Sequence, residues 1–100
     1  MTVAPGDAAG PSLSRTVIIP NRRGLHARAA AKFVHTASSF DAKITLARDG
    51  DEVDGKSILG LLLLAAGKGT PLVVRAEGSD EEQALAALRD LVDRKFDEAD

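Results

Sequence analysis

The sequence is 100 residues long with 44% hydrophobic and 28% charged content, which sets one small globular domain and leaves no room for a second core. It has no cysteine and two histidines, which excludes disulfides and thiolate metal sites and makes a histidine cluster a poor metal ligand set. With a net charge of −2, three Phe as its aromatics and no block of like charge, neither electrostatic nucleic-acid binding nor base stacking is favoured, so no nucleic-acid partner is expected.

Residues 1–13, MTVAPGDAAGPSL, are rich in Gly, Ala and Pro, lack apolar periodicity and have neither the basic start nor the apolar stretch of a signal peptide. They are predicted to be a disordered tail ahead of a domain spanning 14–96. Arg15–Ile19 carries Thr, Val and two Ile and stops at Pro20, which predicts a first strand.

The next stretch, Asn21–Val34 or NRRGLHARAAAKFV, places one histidine between a glycine-bearing turn and a helix. Gly24 permits backbone angles closed to other residues, and the alanine run from Ala27 favours a helix starting at or just after His26. The first N–H groups of that helix, from Ala27 to Ala29, lack intrahelical acceptors and carry the positive end of the macrodipole, so a phosphate can bind there. Arg28 adds a forked cationic donor two residues beyond His26. Along the helix Ala30, Phe33, Val34 and Ala37 form the stripe to be buried, while Arg28, Lys32 and His35 project from the other side. Lys32 and His35 read as ordinary surface side chains.

Ala42–Leu46 alternates as a second strand, and Asp49-Gly50 signals a hairpin to a short antiparallel third strand at Glu52–Asp54. Ser57 stands where an N-cap belongs, ahead of a short helix ending near Gly67. The run Ile58–Leu64, ILGLLLL, holds more apolar side chains than one helix face can bury, so part of it is expected to form an exposed docking patch. It falls far short of the roughly 20 residues of a membrane span, and no membrane partner is expected. Gly67-Lys68-Gly69-Thr70 resembles the end of a P-loop, but Leu62 stands where that motif requires its first glycine. Leu72–Ala76 reads as a fourth strand. Ser79 to Glu82 fits a capping box, and Ala84, Leu85, Leu88, Leu91 and Val92 repeat at helical spacing in a final helix. The order β-α-β-β-α-β-α predicts an α+β fold with helices on one face of an antiparallel sheet.

Two of these segments, GLHARAAAKFV and VDGKSILGLLLLAAGKGT, match in order and spacing the motifs of the HPr family, the histidine phosphocarriers of bacterial phosphotransferase systems. The resemblance covers Ser14 to Val92. It implies the HPr-like open-faced β-sandwich, a four-stranded antiparallel sheet with three helices on one face. It also implies a phosphocarrier, not an enzyme with its own turnover, that accepts a phosphoryl group on Nδ1 of His26 from enzyme I and passes it to a IIA-type protein.

On this reading His26 and Arg28 carry the transfer, Ala27 and Arg28 hold phosphate, and Leu25, Lys56, Ile58 and Leu59 form the docking surface. Ser57 matches the family's regulatory phosphorylation site, with HPr kinase/phosphorylase as a further partner. A cytoplasmic monomer without metal or cofactor is expected. Where the family commonly has proline this chain has Ala29, a departure that points towards the nitrogen-related branch and leaves one more N–H in the first helical turn. The alternative is a regulatory module that binds and controls another protein, with phosphorylation as its switch. An RNA-binding α/β domain is disfavoured by the absence of Tyr and Trp.

Overall fold

Ile44 and Leu46 in one strand and Leu72, Val74 and Ala76 in another alternate with exposed or half-exposed neighbours, so their sheet has one apolar face. The computed structural model describes residues 13–99. Its strands are β1 (Leu13–Ile18), β2 (Lys43–Arg48), β3 (Asp51–Asp54) and β4 (Pro71–Glu77), and its helices are α1 (Ala27–Ser38), α2 (Ile58–Leu63) and α3 (Glu81–Asp93). A 3₁₀ turn, Lys95–Asp97, follows α3. The strands form one antiparallel sheet in the order β1-β4-β2-β3, and the helices cover its apolar face, giving the open-faced sandwich.

The helical stripes close the core. Ala30, Phe33 and Ala37 are buried as the spacing predicts, together with Ala29, whereas Val34 is half-buried at the margin. All five predicted positions of the last helix, Ala84, Leu85, Leu88, Leu91 and Val92, are buried. The α3 helix packs on β1 and β4, and α1 lies against both α2 and α3.

Several boundaries differ from the sequence reading. The first strand starts at Leu13, so the predicted tail loses that residue to the sheet; residues 1–12 lie outside the described residues. Ile19 falls just past β1, but its N–H donates to the Thr70 carbonyl at 3.0 Å and its carbonyl accepts from the Gly69 N–H at 2.7 Å, so it is pinned to the loop before β4. The α2 helix stops at Leu63, well before Gly67, and Ala65 takes a left-handed φ of 50°. Arg48 explains the early stop: its Nη1 donates to the Leu64 and Ala65 carbonyls at 2.8 Å each, supplying the partners that another helical turn would have provided.

The capping box at Ser79 does not form. Asp80 occupies the N-cap, and its carboxylate is used elsewhere, accepting from the backbone N–H groups of Asp41 and Ala42 at 2.8 Å each. The Asp41 hydrogen bond, helped by that of Ala42 and by the Lys56 charge, holds the Asp80 carboxyl below its usual range against the cost of desolvation. Glu81 makes the reciprocal bond instead, accepting from the Gly78 N–H at 3.0 Å.

Candidate functional site

Gly24 sets the geometry of the site. Its φ of +68° lets the chain turn sharply after Asn21, and the Gly24 N–H donates to the Asn21 carbonyl at 3.1 Å. The next N–H, of Leu25, donates to the Ala66 carbonyl at 2.8 Å, which ties the turn to the segment after α2. The chain then enters α1 with His26 as its N-cap, in extended conformation, and Nδ1 of the ring accepts from the Arg28 N–H at 3.3 Å. An imidazole nitrogen thus occupies the place where a Ser or Asp oxygen usually caps a helix. Its Nδ1 lone pair points at the positive end of α1, where the N–H groups of Ala27 and Arg28 belong to the first turn.

On the other side of the ring, Nε2 meets Oε2 of Glu98. The second oxygen of that carboxylate, Oε1, accepts from Nδ2 of Asn21 at 2.9 Å, and the same Nδ2 donates to the Gly24 carbonyl at 2.8 Å. Asn21 is fully buried and its Oδ1 has no hydrogen-bond partner among the described residues, so the side chain acts through its NH₂. Burial opposes the charge on Glu98, but the hydrogen bonds from Asn21 and His26 and the attraction of the ring and of Arg23 outweigh it, so the carboxyl lies below its usual range. The side chains of His26 and Glu98 are 18% and 15% exposed, leaving only an edge of the pair open to solvent.

Arg22, Arg23, Arg28 and Lys32 line a cleft with Asp97 and Glu98, so the cleft beside the His26–Glu98 pair is predominantly cationic. Lys32 is more than a surface charge: its Nζ donates to the Phe96 carbonyl at 2.8 Å and so fastens the C-terminal segment to α1. His35 is exposed on α1, as expected. Among the described residues no group of three or more metal-ligating side chains is assembled, and no helix is long and apolar enough to cross a membrane.

The docking residues divide. Leu25 is corrected: at 5% exposure it belongs to the hydrophobic core, because the Leu25–Ala66 bond turns its side chain inward. Ile58 and Leu59 are exposed, and Leu62 and Leu63 extend the same apolar surface. Lys56 is half-buried and its Nζ donates to the Phe40 carbonyl at 2.7 Å. Ser57 caps α2 by accepting from the Gly60 N–H at 3.1 Å. Sequence reasoning missed Asn21, Arg23 and Glu98. The spacing of Asn21 before Gly24 is a turn signal that hints at the first, but no local pattern links a glutamate in the last turn of chain to a histidine 72 residues earlier.

Fold and site together define a small α+β protein in which one ring nitrogen of a histidine stands at a helix N-terminus. The chain belongs to the HPr family of phosphotransferase systems: the family model described as "PTS HPr component phosphorylation site" matches residues 13–94. It is 48% identical over 86 residues to the phosphocarrier protein HPr of Xylella fastidiosa, covering 86% of this chain and 97% of that protein. It is 47% identical over 87 residues to the phosphocarrier protein NPr of Shewanella violacea, covering 87% and 96%. Among solved structures, HPr-C-His from Thermoanaerobacter tengcongensis superposes with a TM-score of 0.84 at 45% identity, over 86% of this chain and 97% of that one. Relatives carrying either name match almost equally, so Ala29 does not assign the chain to one branch.

Proposed function

We propose that the chain accepts a phosphoryl group on Nδ1 of His26 from enzyme I and hands it to a IIA-type protein, as a cytoplasmic carrier. The observation that carries this reading is the position of Nδ1 at the N-cap of α1, where it already accepts the Arg28 N–H. A phosphoryl group attached there would lie against the first backbone N–H groups, at the end of the helix that favours negative charge. The exposed Arg28 guanidinium adds a charge-assisted contact to a phosphoryl oxygen or to an acidic partner. The transfer needs no deprotonation of the nucleophile, because the neutral nitrogen attacks phosphorus directly.

Incubation with enzyme I and phosphoenolpyruvate, followed by mapping of the acid-labile phosphate, tests the assignment. Label on Nδ1 of His26 and its passage to a IIA-type protein is the expected result; label on His35, or none, overturns it.

The apolar surface of Ile58, Leu59, Leu62 and Leu63 supplies the docking patch for donor and acceptor. Ser57 lies at its edge, and two substitutions separate its cap from its regulatory role. Ser57→Ala removes the acceptor of the Gly60 N–H and is expected to cost about 1 kcal/mol in denaturant unfolding with near-normal phosphoryl uptake. Ser57→Asp keeps a capping oxygen but sets a charge beside the patch, so the fold should hold while uptake from enzyme I slows. Uptake by Ser57→Asp at the parent rate would place the docking patch elsewhere.

A further inference from the structure

The pairing of His26 with Glu98 lies outside the transfer as described above, which uses Nδ1, the helix N-terminus and Arg28. We propose that Glu98 is a positioning residue: by accepting from Nε2 it keeps the ring proton on that nitrogen and leaves the Nδ1 lone pair available for bonding to phosphorus. The inference deepens the phosphocarrier reading and rests on it.

The hydrogen bonds around the ring admit one arrangement. The Arg28 N–H can only donate, so Nδ1 accepts, and a neutral imidazole then carries its proton on Nε2. The ionised Glu98 carboxylate can only accept, and it faces Nε2. Its other oxygen is fixed by Asn21 Nδ2, and Asn21 cannot turn its amide over without setting Oδ1 against the Gly24 carbonyl that Nδ2 now serves. Three further contacts hold Glu98 in place. Phe96 is fully buried, Lys32 Nζ binds the Phe96 carbonyl, and the Glu98 N–H donates to the Lys95 carbonyl at 3.0 Å.

In the transfer, the Nδ1 lone pair forms the bond to phosphorus while the donor's bond to phosphorus breaks and its electron pair stays with the donor. No proton leaves His26. The positive charge that the ring gains is shared with the Nε2–H, directly against the Glu98 carboxylate, which stabilises the product as charge develops. The same contact keeps the nitrogen that bears phosphorus defined when the group is passed on.

Glu98→Gln separates positioning from mere packing. A glutamine has one acceptor and one NH₂ where Glu98 uses two acceptors. Its oxygen satisfies Asn21 and its NH₂ then donates to Nε2, which drives the ring proton to Nδ1; Glu98→Ala leaves Nε2 to water. ¹⁵N spectra of the neutral ring are expected to show the proton on Nε2 in the parent, a mixture in Glu98→Ala and a shift towards Nδ1–H in Glu98→Gln. Phosphoryl uptake from enzyme I should be slowest in Glu98→Gln, about tenfold below the parent, because the wrong tautomer removes the nucleophilic lone pair. A packing role would give the reverse order, with alanine the worse substitution. A parent ring with its proton on Nδ1, or a Glu98→Gln variant with the parent's tautomer and rate, overturns the proposal. Failure of the parent to take up phosphate would overturn the phosphocarrier reading instead, and the ring spectra would still decide the role of Glu98.

Discussion

Gly24→Ala is expected to lower the unfolding free energy by about 2–4 kcal/mol, the sum of a strained left-handed backbone and an overpacked contact. A Cβ at this position would sit 2.6 Å from the Ala66 carbonyl oxygen and 2.8 Å from the Gly67 Cα, and neither is a flexible side-chain tip that can move aside. Relief requires the turn and the segment after α2 to separate, which breaks the Leu25–Ala66 hydrogen bond and moves the N-cap at His26. Phosphoryl uptake should therefore fall even in the fraction that stays folded. Urea titration provides the measurement, with a lower midpoint at unchanged slope. Gly67→Ala is the control, since a Cβ there meets nothing within 4 Å among the described residues. A Gly24→Ala midpoint within error of that control would show that the close approach is not maintained in solution.

Phe96→Ala should cost about 3–5 kcal/mol, as expected for emptying a fully buried aromatic site. Its effect on the site should exceed its effect on the rest of the fold. Lys95, Phe96 and Asp97 have φ of 57°, 55° and 63°, a left-handed run without glycine that costs roughly 1–2 kcal/mol per residue. Burial of the Phe96 ring, the Lys32 bond to its carbonyl and the Arg94–Asp97 ion pair at 3.0 Å offset that strain. Without the ring the run is expected to unwind and carry Glu98 away from His26. Amide exchange at Asp97 and Glu98 should accelerate far more than in β4, and the ring tautomer should drift as in Glu98→Ala. Equal loss of protection in β4 and at Glu98 would show that Phe96 supports the whole core and not the segment in particular.

The parts of this molecule legible in the sequence are those governed by neighbours in the chain. Apolar spacing marked α1 and α3, alternation marked β2, Asp49-Gly50 marked the hairpin, and Gly24 with the alanine run placed His26 at a helix start. Misreadings arose where a distant group competes for a local one. Asp80 serves Asp41 and Ala42 across 39 and 38 residues, so no capping box forms at Ser79; Arg48 captures two carbonyls and ends α2 early; Leu25 is buried because the bond that turns it inward comes from Ala66. Glu98 is the extreme case. No neighbour in the chain signals its place beside His26, and the physical reason for its order is a buried ring two residues away.

The His26–Glu98 contact also bears on how the protein is made. Its two members are 72 residues apart, and β1 gains its partner only when β4 exists. Synthesis runs from the N-terminus, so on the ribosome the helix bearing His26 is translated long before the carboxylate that faces it. A nascent chain thus carries His26 on its helix before the carboxylate that pairs with Nε2 exists, which makes the pair one of the late contacts of folding.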